Sequence, residues 1–164
     1  MRTAVVYYSM GGNTRLAAEK AAAHLGAELI PIAPVDAYPD KGFRKFFWGG
    51  KSAVMGDKPE LQHYDFNSGD YDCVVLCFPV WAGTFAPPLR TFVEENRSAL
   101  ENKVTGIIAC CSGGGADKAI GKLIKFLGTD EAAAELVLID PKDKPDAAND
   151  KRIEDFCLKL SYER

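Results

Sequence analysis

The chain has 164 residues, enough for one domain around one sizeable core, with 47% of them apolar and 26% charged. Its 20 basic residues meet 23 acidic ones, a net charge of −3, which sets nucleic acid aside as the main partner. No apolar run approaches the ~20 residues that span a bilayer, no leader pattern opens the chain, and the five cysteines lack zinc spacing, so a reducing cytoplasm is expected.

The first apolar run, Thr3 to Tyr8, reads as a strand. It gives way to "SMGGNT", Ser9 to Thr14, and then to an alanine-rich stretch. There Ala18, Ala21, Ala22 and Leu25 recur at helical spacing before Gly26. Glu28 to Ala33 is the second run. Pro34 to Tyr71 is too long for a plain crossover; only Phe43 to Met55 looks helical, interrupted by Gly49 and Gly50. Further runs stand at Cys73 to Phe78, Val104 to Cys111 and Leu136 to Ile139. Helical spacing returns at Leu89, Phe92 and Val93 behind Pro87-Pro88, and at Ile120, Leu123, Ile124 and Leu127 before Gly128. It returns last at Ile153, Phe156, Cys157 and Leu160, with Asn149 or Asp150 as a cap. Near-continuous Val, Ile, Leu and Cys suits strands buried on both faces. The alternation predicts one doubly wound α/β domain over residues 1–164, and five parallel strands fit 2-1-3-4-5, one of the common orders of such sheets.

Ser9 to Thr14 falls where strand one ends and helix one begins. Amides at a helix N-terminus lack partners and the helix dipole favours an anion there. Gly11 and Gly12 let the backbone approach phosphate oxygens, and Ser9, Asn13 and Thr14 add short donors. The same residues also suit a plain turn capped by Asn13. Three phosphate chemistries fit poorly. Ser9 and Arg15 have the spacing of the Cys-x5-Arg loop of low-molecular-weight tyrosine phosphatases, but a serine replaces the thiolate and no histidine lies nearby. Gly50-Lys51-Ser52 ends like a nucleotide P-loop, but Lys45 stands where the leading glycine belongs and no strand precedes it. Gly11-Gly12 does not make G-x-G-x-x-G, and no acidic residue closes the second strand near Ile32.

"SMGGNT" resembles the phosphate loop of flavodoxins, commonly T/S-x-T/S-G-N-T. "FPVWAGTFAPPLRTF", Phe78 to Phe92, is similar to their second flavin loop, in which a strand ends in Pro-x-Trp/Tyr before a proline-started helix. "CCSGGGADKAIGKL", from Cys110, stands where the third loop belongs. The likeness runs from about Thr3 to Leu160. It implies a flavodoxin-like three-layer α/β/α sandwich with FMN as cofactor. Ser9, Gly11, Gly12, Asn13 and Thr14 would hold the phosphate, with the amide of Met10. Pro79, Val80, Trp81, Ala82, Gly83 and Thr84 would run beside the isoalloxazine, with Trp81 against the ring. Ser112, Gly113, Gly114 and Gly115 would offer amides to the pyrimidine edge. Without the resemblance, Trp81 reads as a core aromatic and residues 112–115 as a turn. No side chain stands out as acid, base, nucleophile or metal ligand.

Departures from the electron-carrier pattern carry information. Carrier flavodoxins are typically very acidic; this chain is only −3. "SGGGAD" has no aromatic to cover the second flavin face, and neither it nor "PVWAGT" has a carboxylate before Asp117. Fewer negative side chains would penalise a reduced, anionic cofactor less. The expectation is an NAD(P)H-dependent reductase of quinones or similar small acceptors. A single-electron carrier between redox protein partners and an FMN-free interaction module remain as alternatives, and a homo-oligomer stays open. In the long connection, Lys41, Arg44, Lys45, Lys51 and Lys58 interleave with Phe43, Phe46, Phe47 and Trp48. That segment reads either as a helix packing its aromatics or as a lid recruiting an anionic donor. Cys110 and Cys111 point to opposite faces of a strand, Cys73 and Cys77 share one face, and all four read as buried packing. His24 and His63 read as lone surface residues.

Overall fold

Strand β1, Thr3–Tyr7, is buried along its whole length and lies between two parallel neighbours. One is β2, Glu28–Pro31, with Ala4 opposite Glu28; the other is β3, Cys73–Trp81, with Thr3 opposite Cys73. Next to β3 comes β5, Val104–Cys111, and at the edge β6, Ala134–Ile139, again parallel. A two-residue strand, β4 at Thr84–Phe85, hangs antiparallel on the end of β3. The sheet order is β2-β1-β3-β5-β6. Without the small β4 this is the expected 2-1-3-4-5. The computed structural model describes residues 1–39 and 50–162.

Among the described residues, helices flank the sheet on both faces. They are α1 (Asn13–Leu25), α2 (Pro87–Glu95), α3 (Arg97–Leu100), α4 (Ala116–Leu127) and α5 (Ala148–Tyr162). Residues 50–55 are also helical, and Ser68–Asp70 form one 3-10 turn. Alternate residues of β1 divide the core in two. Ala4 and Val6 join Leu89 and Phe92 of α2 with Ile120 and Leu123 of α4. Val5 and Tyr7 join the alanine face of α1 with Ile153, Phe156 and Leu160 of α5. A strand that feeds both clusters must be apolar at every position, which is why the runs read as continuous. The buried face of α1 is Ala17, Ala18, Ala21 and Ala22, so that helix can sit close on the sheet.

Most element ends fall where the residues predict. Gly26 and Gly128 take left-handed conformations (φ 58° and 80°) and close α1 and α4. Three ends differ. β3 runs on to Trp81 because Val80 and Trp81 pair with β4 across the two-residue turn Ala82-Gly83. Both turn residues have positive φ, 49° and 66°, as a tight hairpin requires. β6 begins at Ala134, two residues before the apolar run. At α5, the expected caps Asn149 and Asp150 lie inside the helix; Asp146 Oδ1 instead accepts the Ala148 amide at 2.9 Å.

The long connection folds back at its base, where Pro34 bridges Leu61 and Gln62 N donates to Ala33 O at 2.8 Å. It then packs on α2: Thr91 Oγ1 donates to Pro59 O at 2.8 Å. The expected helix at Phe43 to Met55 is present over 50–55. Its earlier part, with Lys41, Phe43, Arg44, Lys45, Phe46, Phe47 and Trp48, lies outside the described residues. All five cysteines are free and buried, with Cys73, Cys77 and Cys110 in one core cluster and Cys111 in the other. His24 and His63 are exposed, and His63 Nε2 lies 3.1 Å from Asp65. Among the described residues, no helix is long and apolar enough to cross a membrane.

Candidate functional site

The C-terminal ends of β1, β3, β5 and β6 open on one cavity of about 370 Å³. That is the edge where open α/β sheets hold ligands, and the size suits a small organic cofactor. Ser9, Met10, Gly11, Asn13 and Thr14 line it from the first loop. Pro79, Val80, Trp81 and Ala82 line it from the second, and Ser112, Gly113 and Gly114 from the third. Four residues of the expected set do not reach it. Gly12 is the N-cap of α1 at φ 96°, with the Lys142 side chain packed against it. Thr84 is only 2% exposed. Gly83 and Gly115 meet backbone to backbone; a Cβ on Gly115 would come within 3.1 Å of Gly83 Cα. These glycines bring the second and third loops together rather than face the space between them.

The first loop is shaped to receive an anion. Ser9 Oγ accepts the Gly12 amide at 3.2 Å, so the serine closes the loop on itself. No side chain caps α1, and its first turn carries no acid. Amides there have no intrahelical acceptor and favour negative charge. Asn13 does not cap the helix. Its side chain reaches across to Lys142 and Asp143 after β6. No histidine is among the cavity residues, so Ser9 has no imidazole from the cavity lining to activate it as a nucleophile.

Aromatic packing sets the second loop. The Trp81 ring lies 5.2 Å from Tyr38 and 5.6 Å from Tyr8, at 85° and 89°. Two edge contacts fix the indole's orientation. Burial raises the phenols of Tyr8 and Tyr38 above their ordinary range, so both stay neutral. Gly113 and Gly114 have open space around them, and the third loop brings no ring to the cavity.

Five lining residues were not anticipated: Gly50, Cys110, Cys111, Asp140 and Asp143. The two acids correct the sequence-based view of the charge. The two flavin-type loops indeed lack carboxylates, but the turn after β6 supplies a pair. Asp140 is buried at φ 41°, accepts from Ser112 Oγ at 2.8 Å and pairs with Lys144 at 2.9 Å. The Lys144 hydrogen bond, with that from Ser112, holds its carboxyl below the ordinary range. The rule that gathers strand ends at one edge applies to β6 as it does to the others, and it was the available sign. Burial pushes the Cys110 thiol up to about 12, which keeps it protonated and poorly nucleophilic at neutral pH. Lys58 does not face the cavity. It pairs with Glu94 on α2 at 2.7 Å and lines a separate cleft with Tyr38 and Ser52.

The sequence model described as Flavodoxin matches residues 2–144. The chain belongs to the flavodoxin family. No curated protein matches it. Among solved structures, one from Bacteroides eggerthii DSM 20697, provisionally described as a flavoprotein, is similar over 99% of each chain, with 24% identity and a TM-score of 0.75. A flavoprotein from Lactobacillus acidophilus NCFM, solved in complex with FMN, covers 87% of this chain and 95% of its own, with 19% identity and a TM-score of 0.72. Oxidised Flavodoxin 1 from Bacillus cereus matches over 100% of this chain and 99% of its own, at 14% identity and a TM-score of 0.60. At these identities the likeness shows the flavodoxin fold. In this chain the cavity carries the Asp140 and Asp143 carboxylates, and its third loop brings no ring to it.

Proposed function

We propose that the protein binds FMN in this cavity and acts as an NAD(P)H-dependent reductase of quinones or similar small acceptors. The observation that carries the reading is the convergence of three loops on one cavity whose floor is the uncapped start of α1. The donor set suits a flavin monophosphate: first-turn amides and short hydroxyls for the phosphate, an oriented indole for the ring. When bound, FMN supplies the electron-transfer chemistry. The chain's own part is to bind and orient. Gly11, Asn13 and Thr14 hold the phosphate end, Tyr8 and Tyr38 fix Trp81, and residues 112–114 leave room beside the cavity for a small acceptor.

The Asp140 and Asp143 carboxylates favour a second reading. Negative charge beside a flavin disfavours its reduced anion, which suits a low-potential electron carrier. Turnover separates the two. The purified protein should be yellow, with absorbance near ~450 nm from bound FMN, and should consume NADH or NADPH steadily when a quinone is present. Reduction only through an added reductase contradicts the reductase assignment and favours the carrier.

A further inference from the structure

The turn after β6 is tied to the phosphate loop by side chains of opposite charge. Asn13 Oδ1 accepts the Lys142 amide at 2.8 Å and the Asp143 amide at 3.3 Å, and Asn13 Nδ2 donates to Asp143 Oδ2 at 2.8 Å. Two backbone donors at one end of the amide fix which end is oxygen. The Asp143 carboxylate therefore takes the side-chain donor of a loop whose chemistry suits an external anion, and Asp143 lines the cavity. Lys142 approaches from the other side. Its Nζ donates to Gly11 O at 2.9 Å, and its Cδ lies 3.0 Å from where a Cβ on Gly12 would stand. Its ammonium rests on a carbonyl rather than a carboxylate, so its charge is available to an incoming anion.

We propose that Lys142 and Asp143 set the site's selectivity for a phosphorylated flavin in opposite directions. The Asp143 carboxylate competes with the phosphate for Asn13, and the Lys142 ammonium supplies the phosphate's counter-charge. This rests on the FMN reading above. A phosphate dianion brought to the loop repels Asp143 and replaces it as the acceptor of Asn13 Nδ2. Lys142 lies within one residue of the same backbone and offsets the added charge. Riboflavin has the same ring without the phosphate, so neither residue bears on it.

The test is titration of the apo-protein with FMN and with riboflavin, followed by quenching of flavin fluorescence, for the parent, Asp143→Ala and Lys142→Met. Both side chains are exposed, and circular dichroism checks each variant's fold. Asp143→Ala should tighten FMN roughly fivefold and Lys142→Met should weaken it roughly fivefold, with riboflavin affinity held within about twofold. Both shifts should shrink between ~0.01 M and ~1 M salt. Parallel changes for the two flavins would mean that the turn only shapes the cavity, and would overturn the proposal. So would unchanged FMN binding in both variants, which leaves the FMN reading standing. No uptake of either flavin by any of the three proteins ends the FMN reading and this proposal together.

Discussion

Asp140 shows how much one residue does at this edge. It ends β6 in a left-handed conformation that few side chains tolerate but aspartate does. From there it joins the third loop through Ser112 and the α5 approach through Lys144. Its carboxyl is held below its ordinary value of 3.8, chiefly by the Lys144 hydrogen bond. The stabilisation is therefore present above that value and is lost as pH falls through the lower folded-state pKa. Asp140→Asn keeps the shape and removes the charge. It should lower the melting temperature at pH 7, and the gap to the parent should close as pH falls below 3.8. A gap that persists unchanged into acid would show that the charge is not what Asp140 contributes. Asp140 was not legible as a site residue, because a single acid after an apolar run carries no pattern of its own. Ser9, Gly11 and Trp81 were legible because each stands within a spacing whose chemistry is specific.

Among the elements, the helix-to-sheet contacts depend on small residues. The Ala17–Ala22 face of α1 was visible as helical spacing. Gly106 of β5 was not, although α5 depends on it. A Cβ at Gly106 would stand 2.8 Å from Leu160 Cδ1 and 2.9 Å from Phe156 Cζ, and both side chains are buried. Gly106→Ala should cost about 1–3 kcal/mol through overpacking, read as a lower urea midpoint with the slope unchanged. An unchanged midpoint would show that α5 can lift without cost. The central strands β1, β3 and β5 could be read because they are buried along most of their length and so stay largely apolar, while β2 and β6 at the edges carry exposed positions. β4 could not, since two residues carry no period and its pairing depends on the Ala82-Gly83 turn.

At the scale of the molecule, the parallel sheet brings distant segments to one edge. Residues 9–14, 79–82, 112–114 and 140–143 meet although the chain separates them widely. Strand order was legible because five strands alternating with helices fit a common doubly wound order, which the sheet shows once β4 is set aside. The charge of the site was not, because it is a sum over loops, and the turn after β6 that carries Asp140 and Asp143 has no sequence pattern that marks it as part of the site. The claim on which the rest depends is that this edge holds FMN. Amide chemical-shift mapping during FMN titration tests it most directly. Saturation is expected at one equivalent, with the largest shifts at Gly11, Asn13, Thr14 and residues 112–114. No shifts at saturating FMN, or shifts centred away from this edge, would contradict it.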